Sequence, residues 1–332
     1  MRVSVPEVHG KRAVAIGALL ALATVGVAVV TAATAPVQVK ATTRNEVKAA
    51  ASGEWLVWSK SRRRRTSPFD LSAQHLAEPA FKVNPRNTQG YAGGIDRTKL
   101  VYQLLRGNIP IRSDLRLYDL RAKKQLALPS GINSKAWECC GSIAGDWLLF
   151  SRGRSYSRDR QLLLLRNLVT GEQRVLDQLR NKNGLLTAGQ LNGVFAVWSR
   201  CNPYPRCQVF RYDLSSATTT PLSVPAGKVP HSPSVNQYGT VYYFQSNKGC
   251  GKSVELVRQS LTGPALVIAS LPPGRDSDDS YAFSALPRPP VRAITTHIYF
   301  DRTVCRSHTW DIYRVDDTEL LPPPLSPPPT VP

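Results

Sequence analysis

Trp147–Gly153 reads WLLFSRG, and 48 residues later Phe195–Cys201 reads FAVWSRC. Each is a short run of aliphatic and aromatic residues closed by serine and arginine. Such a run is too short for a helix and rich in strand-favouring side chains, so it reads as a strand buried on both faces. Four more segments repeat the pattern: WLVWSKS from Trp55, KLVYQLL from Lys99, TVYYFQS from Thr240 and HIYFDRT from His297. Successive starts lie 44, 48, 48, 45 and 57 residues apart, which makes the chain a repeat protein with six units.

A polar loop and a second strand follow each core strand. DLRLYDL at Asp114 and QVFRYDL at Gln208 alternate apolar with polar residues, the period of a strand with one face toward a core. Turns such as Thr170-Gly171 then lead to a short outer strand, and turns with Gly or Asp (GGIDRT, IAGDW, QLNGVF, NQYGTV) precede the core strands. Four short strands per unit, repeated six times with no amphipathic helix, specify an all-β fold: a six-bladed β-propeller of four-stranded antiparallel blades. Ring closure protects the edges that a flat sandwich would expose. The blades are expected near 48–85, 90–130, 139–180, 186–226, 232–272 and 281–321. The segment Val37 to Ala50 is expected to supply an outer strand that closes the ring.

The pattern resembles the TolB-like six-bladed propellers, built from WD40-like repeats. The matching residues are Val57-Trp58-Ser59, Leu149-Phe150-Ser151 and Val197-Trp198-Ser199, with Leu117-Tyr118-Asp119-Leu120 and Arg211-Tyr212-Asp213-Leu214 in the following strands. It covers roughly Lys48 to Leu321. Where that family carries a Ser-Pro-Asp-Gly turn this chain has IAGD, QLNG and NQYG, and no helical TolB N-terminal domain precedes the repeats. The resemblance implies the fold. It does not imply an activity, because propellers host lectins, lyases, hydrolases and docking platforms alike.

Ahead of the propeller, MRVSVPEVHGKR is followed by the apolar run AVAIGALLALATVGVAVV and the small residues TAATAP. Residues 1–35 therefore read as a signal peptide, with membrane anchoring through residues 13–35 as the alternative. Either places the remainder outside the cytoplasm, secreted or held at the envelope. Six cysteines suit an oxidising compartment, although six permit fifteen pairings. Cys201 and Cys207 flank one hairpin and are expected to bridge, and Cys250 and Cys305, in equivalent hairpins of consecutive units, are expected to staple the last two blades. Cys139 and Cys140 remain, either as a vicinal disulfide or as free thiols. The tail 322–332 is proline-rich and should be extended and unstructured.

Catalytic motifs fail on inspection. SNKGCGKS at Ser246–Ser253 lacks the first glycine of a phosphate-binding loop and leads into a strand instead of a helix. GSIAG at Gly141–Gly145 has its serine one position too early for a nucleophile elbow. His75, His231, His297 and His308 lack metal-ligand spacing and read as surface or hairpin residues. Asp276, Asp278 and Asp279 form an acidic cluster in the connection between blades 5 and 6, able to offer oxygen ligands to Ca²⁺ but read more simply as a solvated loop beside Arg275. The sequence calls for no cofactor.

Charge supplies the functional expectation. The formal net charge is +20, and 17 of the 40 Lys and Arg beyond position 35 fall in the six loops between second and third strands, which hold 48 of 297 residues. Those loops share one face of a propeller. Arg62, Arg63, Arg64 and Arg65, with Arg152, Arg154, Arg158 and Arg160, are the densest sectors. We therefore expect an exported binding or scaffold module with a basic face for an anionic polymer or an envelope protein. No feature singles out nucleic acid. The alternative is an extracellular lyase or hydrolase acting on an acidic polymer at the channel.

Overall fold

The computed structural model describes residues 35–320 except 41, 43, 64–65, 77, 107–111, 155–156, 247–252, 272–274, 285–292 and 304–309. The apolar segment up to residue 34 and the proline-rich tail fall outside these, as do Cys250, Cys305 and His308.

The described strands form six four-stranded antiparallel sheets. The chain is a six-bladed β-propeller. The second strand of a blade is sandwiched between neighbouring sheets, so in Lys99–Arg106 all six residues between the terminal Lys and Arg are buried. This explains the unbroken apolar runs of the repeat, since a strand covered on both faces needs no alternation. Some outer strands are open to water: Thr218–Pro221 is exposed throughout.

Five blades are continuous in sequence, with strands between 46 and 82, 89 and 126, 137 and 179, 185 and 221, and 229 and 271. The sixth is composite. Its inner strand is Arg275–Ser284, followed by Ala293–Thr303 and Asp311–Leu320, and its outer strand is Val37–Lys40 from the start of the propeller. Val37 pairs with Arg314, Gln38 with Tyr313 and Lys40 with Ile312. The ring-closing strand therefore occupies only the first part of the segment expected from sequence, and Glu46–Ser52 is the inner strand of blade 1.

Six apolar clusters fill the six interfaces between blades. Five are extensive, such as the one joining Leu71 and Val57 of blade 1 to Leu100 and Tyr102 of blade 2. The seam between blades 6 and 1 is thinner, with Ala49, Trp58 and Ile312 buried and Val39, Leu56 and Tyr299 packed against them. Hydrogen bonding of Val37–Lys40 to Asp311–Leu320 supplements this thin core with a covalently continuous strand.

Inner strands meet at the axis, where space runs out. A Cβ placed on Gly93 would lie 2.6 Å from the Val101 carbonyl oxygen, and one on Gly189 would lie 2.7 Å from that of Val197. Glycine is required at both positions for close backbone approach.

Candidate functional site: hairpin face and channel

The hairpins between second and third strands open on one face, but their strands run further than the sequence suggested. Arg62 and Arg63 are the last residues of the strand Trp55–Arg63, and the next strand begins at Thr66. Arg152 and Arg154 likewise end Trp147–Arg154, while Arg158 and Arg160 lie within Ser157–Asn167. Arg64 and Arg65 fall outside the described residues.

Several of these cations are engaged by the fold. Arg62 Nε donates to Asp70 Oδ1 at 2.8 Å, and its Nη2 donates to the Thr88 carbonyl. Burial alone would raise the Asp70 pKa, but hydrogen bonds from Lys82 and Arg62 outweigh it and hold the carboxyl below its ordinary value. Arg152 Nε donates to Glu138 Oε1 at 2.9 Å, and its Nη2 donates to the carbonyls of Gly131 and Ile132, both at 2.8 Å. Lys60 lies 3.4 Å from Glu46, and Arg200 lies 3.1 Å from Asp177.

These carboxylates were missed because they stand outside the loops. Glu46 and Glu138 are buried on inner strands, in direct register with Lys60 and Arg152. Burial pushes the Glu46 carboxyl up, against the opposing pull of Lys60. The signal was present as an acid 14 residues before a base in blades 1 and 3, but it becomes meaningful only once the inner strand is paired. The same register sets Asp276 across from Arg302. Asp276, Asp278 and Asp279 accordingly belong to the first strand of blade 6, which begins at Arg275 rather than near 281, and not to a connecting loop. Among the described residues no group of three His, Cys, Asp or Glu gathers as a metal site.

Other cations on the face are open. Arg106, Arg160 and Arg206 are exposed. Arg106 stands in register with Arg112.

The hairpin of blade 4 is firmly built. Cys201 and Cys207 are bridged across it. Within it Asn202 N–H donates to the Arg206 carbonyl at 2.9 Å and Arg206 N–H to the Pro203 carbonyl at 2.8 Å. It is tied to the connection entering the blade by Tyr204 N–H to the Asn183 carbonyl at 3.1 Å and by Asn181 Nδ2 to Asn202 Oδ1 at 2.6 Å. At its tip Tyr204 is 61% exposed, among the exposed cations Arg180, Lys182 and Arg206.

The channel has its own regularity. Every inner strand loses register with its neighbour at one place, between Val47 and Ala50, Ala92 and Ile95, Cys139 and Ser142, Ala188 and Leu191, His231 and Ser234, and Asp276 and Ser280. These bulges turn residues out of the ladder toward the axis. Lys48, Cys140 and Ser232 take positive φ there, at 54°, 58° and 51°. A cavity of about 40 Å³ is lined by Lys48, Gly93, Cys140, Gly141 and Gly189 among others. It holds a few waters or a small group, not a sugar ring.

His231 is not the surface or hairpin residue expected, and His297 lies within a strand. His231 is on an inner strand with its ring 5.9 Å from that of Phe244, and burial pushes its pKa down to about 4. His297, inside Ala293–Thr303, pairs with Asp316 at 2.7 Å, and His75 closes a strand beside Glu54 and Glu78.

No protein-family model and no curated protein matches the sequence. Solved structures do resemble it. They include a prolyl endopeptidase at 11% identity (86% of this chain, 44% of that one, TM-score 0.47) and TolB from Acinetobacter baumannii at 12% (82% and 63%, TM-score 0.48). An oligogalacturonate lyase in complex with manganese matches at 10% (86% and 98%, TM-score 0.46). The chain thus spans less than half of the endopeptidase. At these identities the likeness concerns the fold alone.

Proposed function

We propose that the protein is an exported binding module that holds an anionic polymer across its hairpin face. The observation that carries this reading is the blade 4 hairpin, a pre-organised loop that presents an aromatic ring among three exposed cations. Pre-organisation lowers the ordering cost of binding. The bridge at Cys201–Cys207 supports an oxidising, extracytoplasmic setting. Arg63 to Arg65, Arg154, Arg158 and Arg160 extend the face, whereas Arg62 and Arg152 contribute little because their guanidinium groups are already bound.

Single exposed ion pairs are weak, at about 1 kcal/mol or less, so affinity must come from many contacts and from counterion release. The test is a heparin titration across salt concentration with wild type, Arg63→Ser/Arg64→Ser/Arg65→Ser, Lys182→Ser/Arg206→Ser and Tyr204→Ala. Both cation variants should show a shallower salt slope, and Tyr204→Ala a weaker affinity at unchanged slope. Equal slopes in wild type and both cation variants would reject the binding face. Release of shortened or unsaturated products from an acidic polysaccharide would instead favour a lyase or hydrolase.

A further inference from the structure

We propose that Cys139 and Cys140 form a dithiol–disulfide couple that opens on the central channel and exchanges with small organic disulfides. The pair lies within the inner strand Trp137–Ala144 of blade 3, and the two Sγ atoms are 2.7 Å apart, closer than two sulfurs in ordinary non-bonded contact. Both side chains are partly exposed, and Cys140 lines the axial cavity.

The strand bulges at this point. Cys139 pairs with Ser151 and Ser142 with Leu149, leaving Cys140 and Gly141 in the bulge. Joining neighbouring cysteines constrains the peptide between them, and in a paired strand that constraint would break ladder hydrogen bonds. Here the constraint falls where the register between the two strands already shifts, between Cys139 and Ser142. Lys48 and Ser232 show that the same left-handed conformation serves other blades without sulfur, so the bulge belongs to the fold and the thiol pair to blade 3 alone. Gly141 next to the pair packs closely on blade 2, since a Cβ there would lie 2.5 Å from Val101 Cγ1.

The chemistry balances as a two-electron exchange. The Cys140 thiolate attacks one sulfur of a small disulfide RSSR, forming a mixed disulfide and releasing RS⁻, which takes up the proton Cys140 lost. The Cys139 thiolate then attacks Cys140 Sγ and displaces the second RS⁻, which is protonated in turn. The cysteines are oxidised, RSSR is reduced to two RSH, and the reverse sequence restores the dithiol. A cavity this narrow admits a small disulfide and not a folded protein bearing a thiol.

The test uses the full chain, first reduced mildly enough to keep Cys201–Cys207 and then treated with hydroxyethyl disulfide. Alkylation and peptide mapping should show two thiols fewer per chain, with the new bridge inside the peptide containing Cys139 and Cys140. Arsenite, a small dithiol-binding oxyanion, should protect both from alkylation in the reduced protein. In Cys139→Ser the oxidant should remain attached to Cys140 as an unresolved mixed disulfide, a result that a fold defect would not produce. Full alkylation of Cys139 and Cys140 after oxidation, a bridge from either to another cysteine, or a mixed disulfide persisting in wild type would each overturn the proposal.

Discussion

The hydroxyl of Ser59 accepts a hydrogen bond from the backbone N–H of Ala92 at 2.9 Å, across the boundary between blades 1 and 2. Ala92 is the last paired residue before its strand bulges, and its N–H points out of its own sheet. Ser151 repeats the contact with Ala188 N–H at 3.3 Å between blades 3 and 4. In blade 6 the position falls to Asp301, whose Oδ2 accepts Lys48 N–H at 3.2 Å and closes the ring across 253 residues. The serine that ends the repeated motif is therefore a stitch between blades.

Ser59→Ala should destabilise the protein by about 1–3 kcal/mol, because a buried N–H loses its acceptor. Ser151→Ala should cost less, its bond being longer. The two sites share no partner, so the double variant should be additive in urea unfolding. A neutral Ser59→Ala would deny the stitch any energetic role.

A chain beginning at Arg44 lacks the outer strand Val37–Lys40 and the Val39 contact at the thinnest seam. The loss of its hydrogen bonds, at about 1 kcal/mol each, should lower stability by on the order of 3 kcal/mol. It also leaves Asp311–Leu320 as an open edge, so the truncated protein should self-associate. Calorimetry and light scattering together check this, and unchanged melting with a monomeric product would contradict it.

Gly93→Ala should cost about 3 kcal/mol or more, since the new Cβ meets backbone that cannot yield. Gly171→Ala is the control. That turn has φ +78° with nothing within 4 Å, so only backbone strain of about 1–2 kcal/mol is expected. Comparable losses in chemical denaturation would show that crowding at the axis is not what selects glycine.

His231 makes stability depend on pH. Its folded-state pKa of about 4 lies below the ordinary value near 6.5, so between those values the unfolded chain binds a proton that the native state refuses. Acidification therefore favours unfolding, with stability lost progressively as pH falls from 6.5 toward 4. Between pH 6.5 and 5 wild type should lose about 2 kcal/mol more than His231→Gln. Parallel stability curves for the two would show that the imidazole protonates in place.

The sequence by itself determined the number of blades, their strand order and the approximate bounds of each core strand. A doubly buried strand must be continuously apolar, and turn glycines such as Gly53, Gly145 and Gly193, at φ 56° each, punctuate one blade after another. It also determined the Cys201–Cys207 bridge, because a seven-residue hairpin leaves its ends in contact. Tertiary structure decided which cations are available. Arg62 and Arg152 look alike in a count of loop charges, but each is met by a carboxylate from another strand, and sequence distance carries no information on which side chains meet across a sheet. The sixth blade shows the same limit: Arg275–Ser284 looks like an acidic loop because its polar composition disfavours a strand, and ring closure recruits it as one because an inner edge left unpaired at the axis would cost more than that local preference.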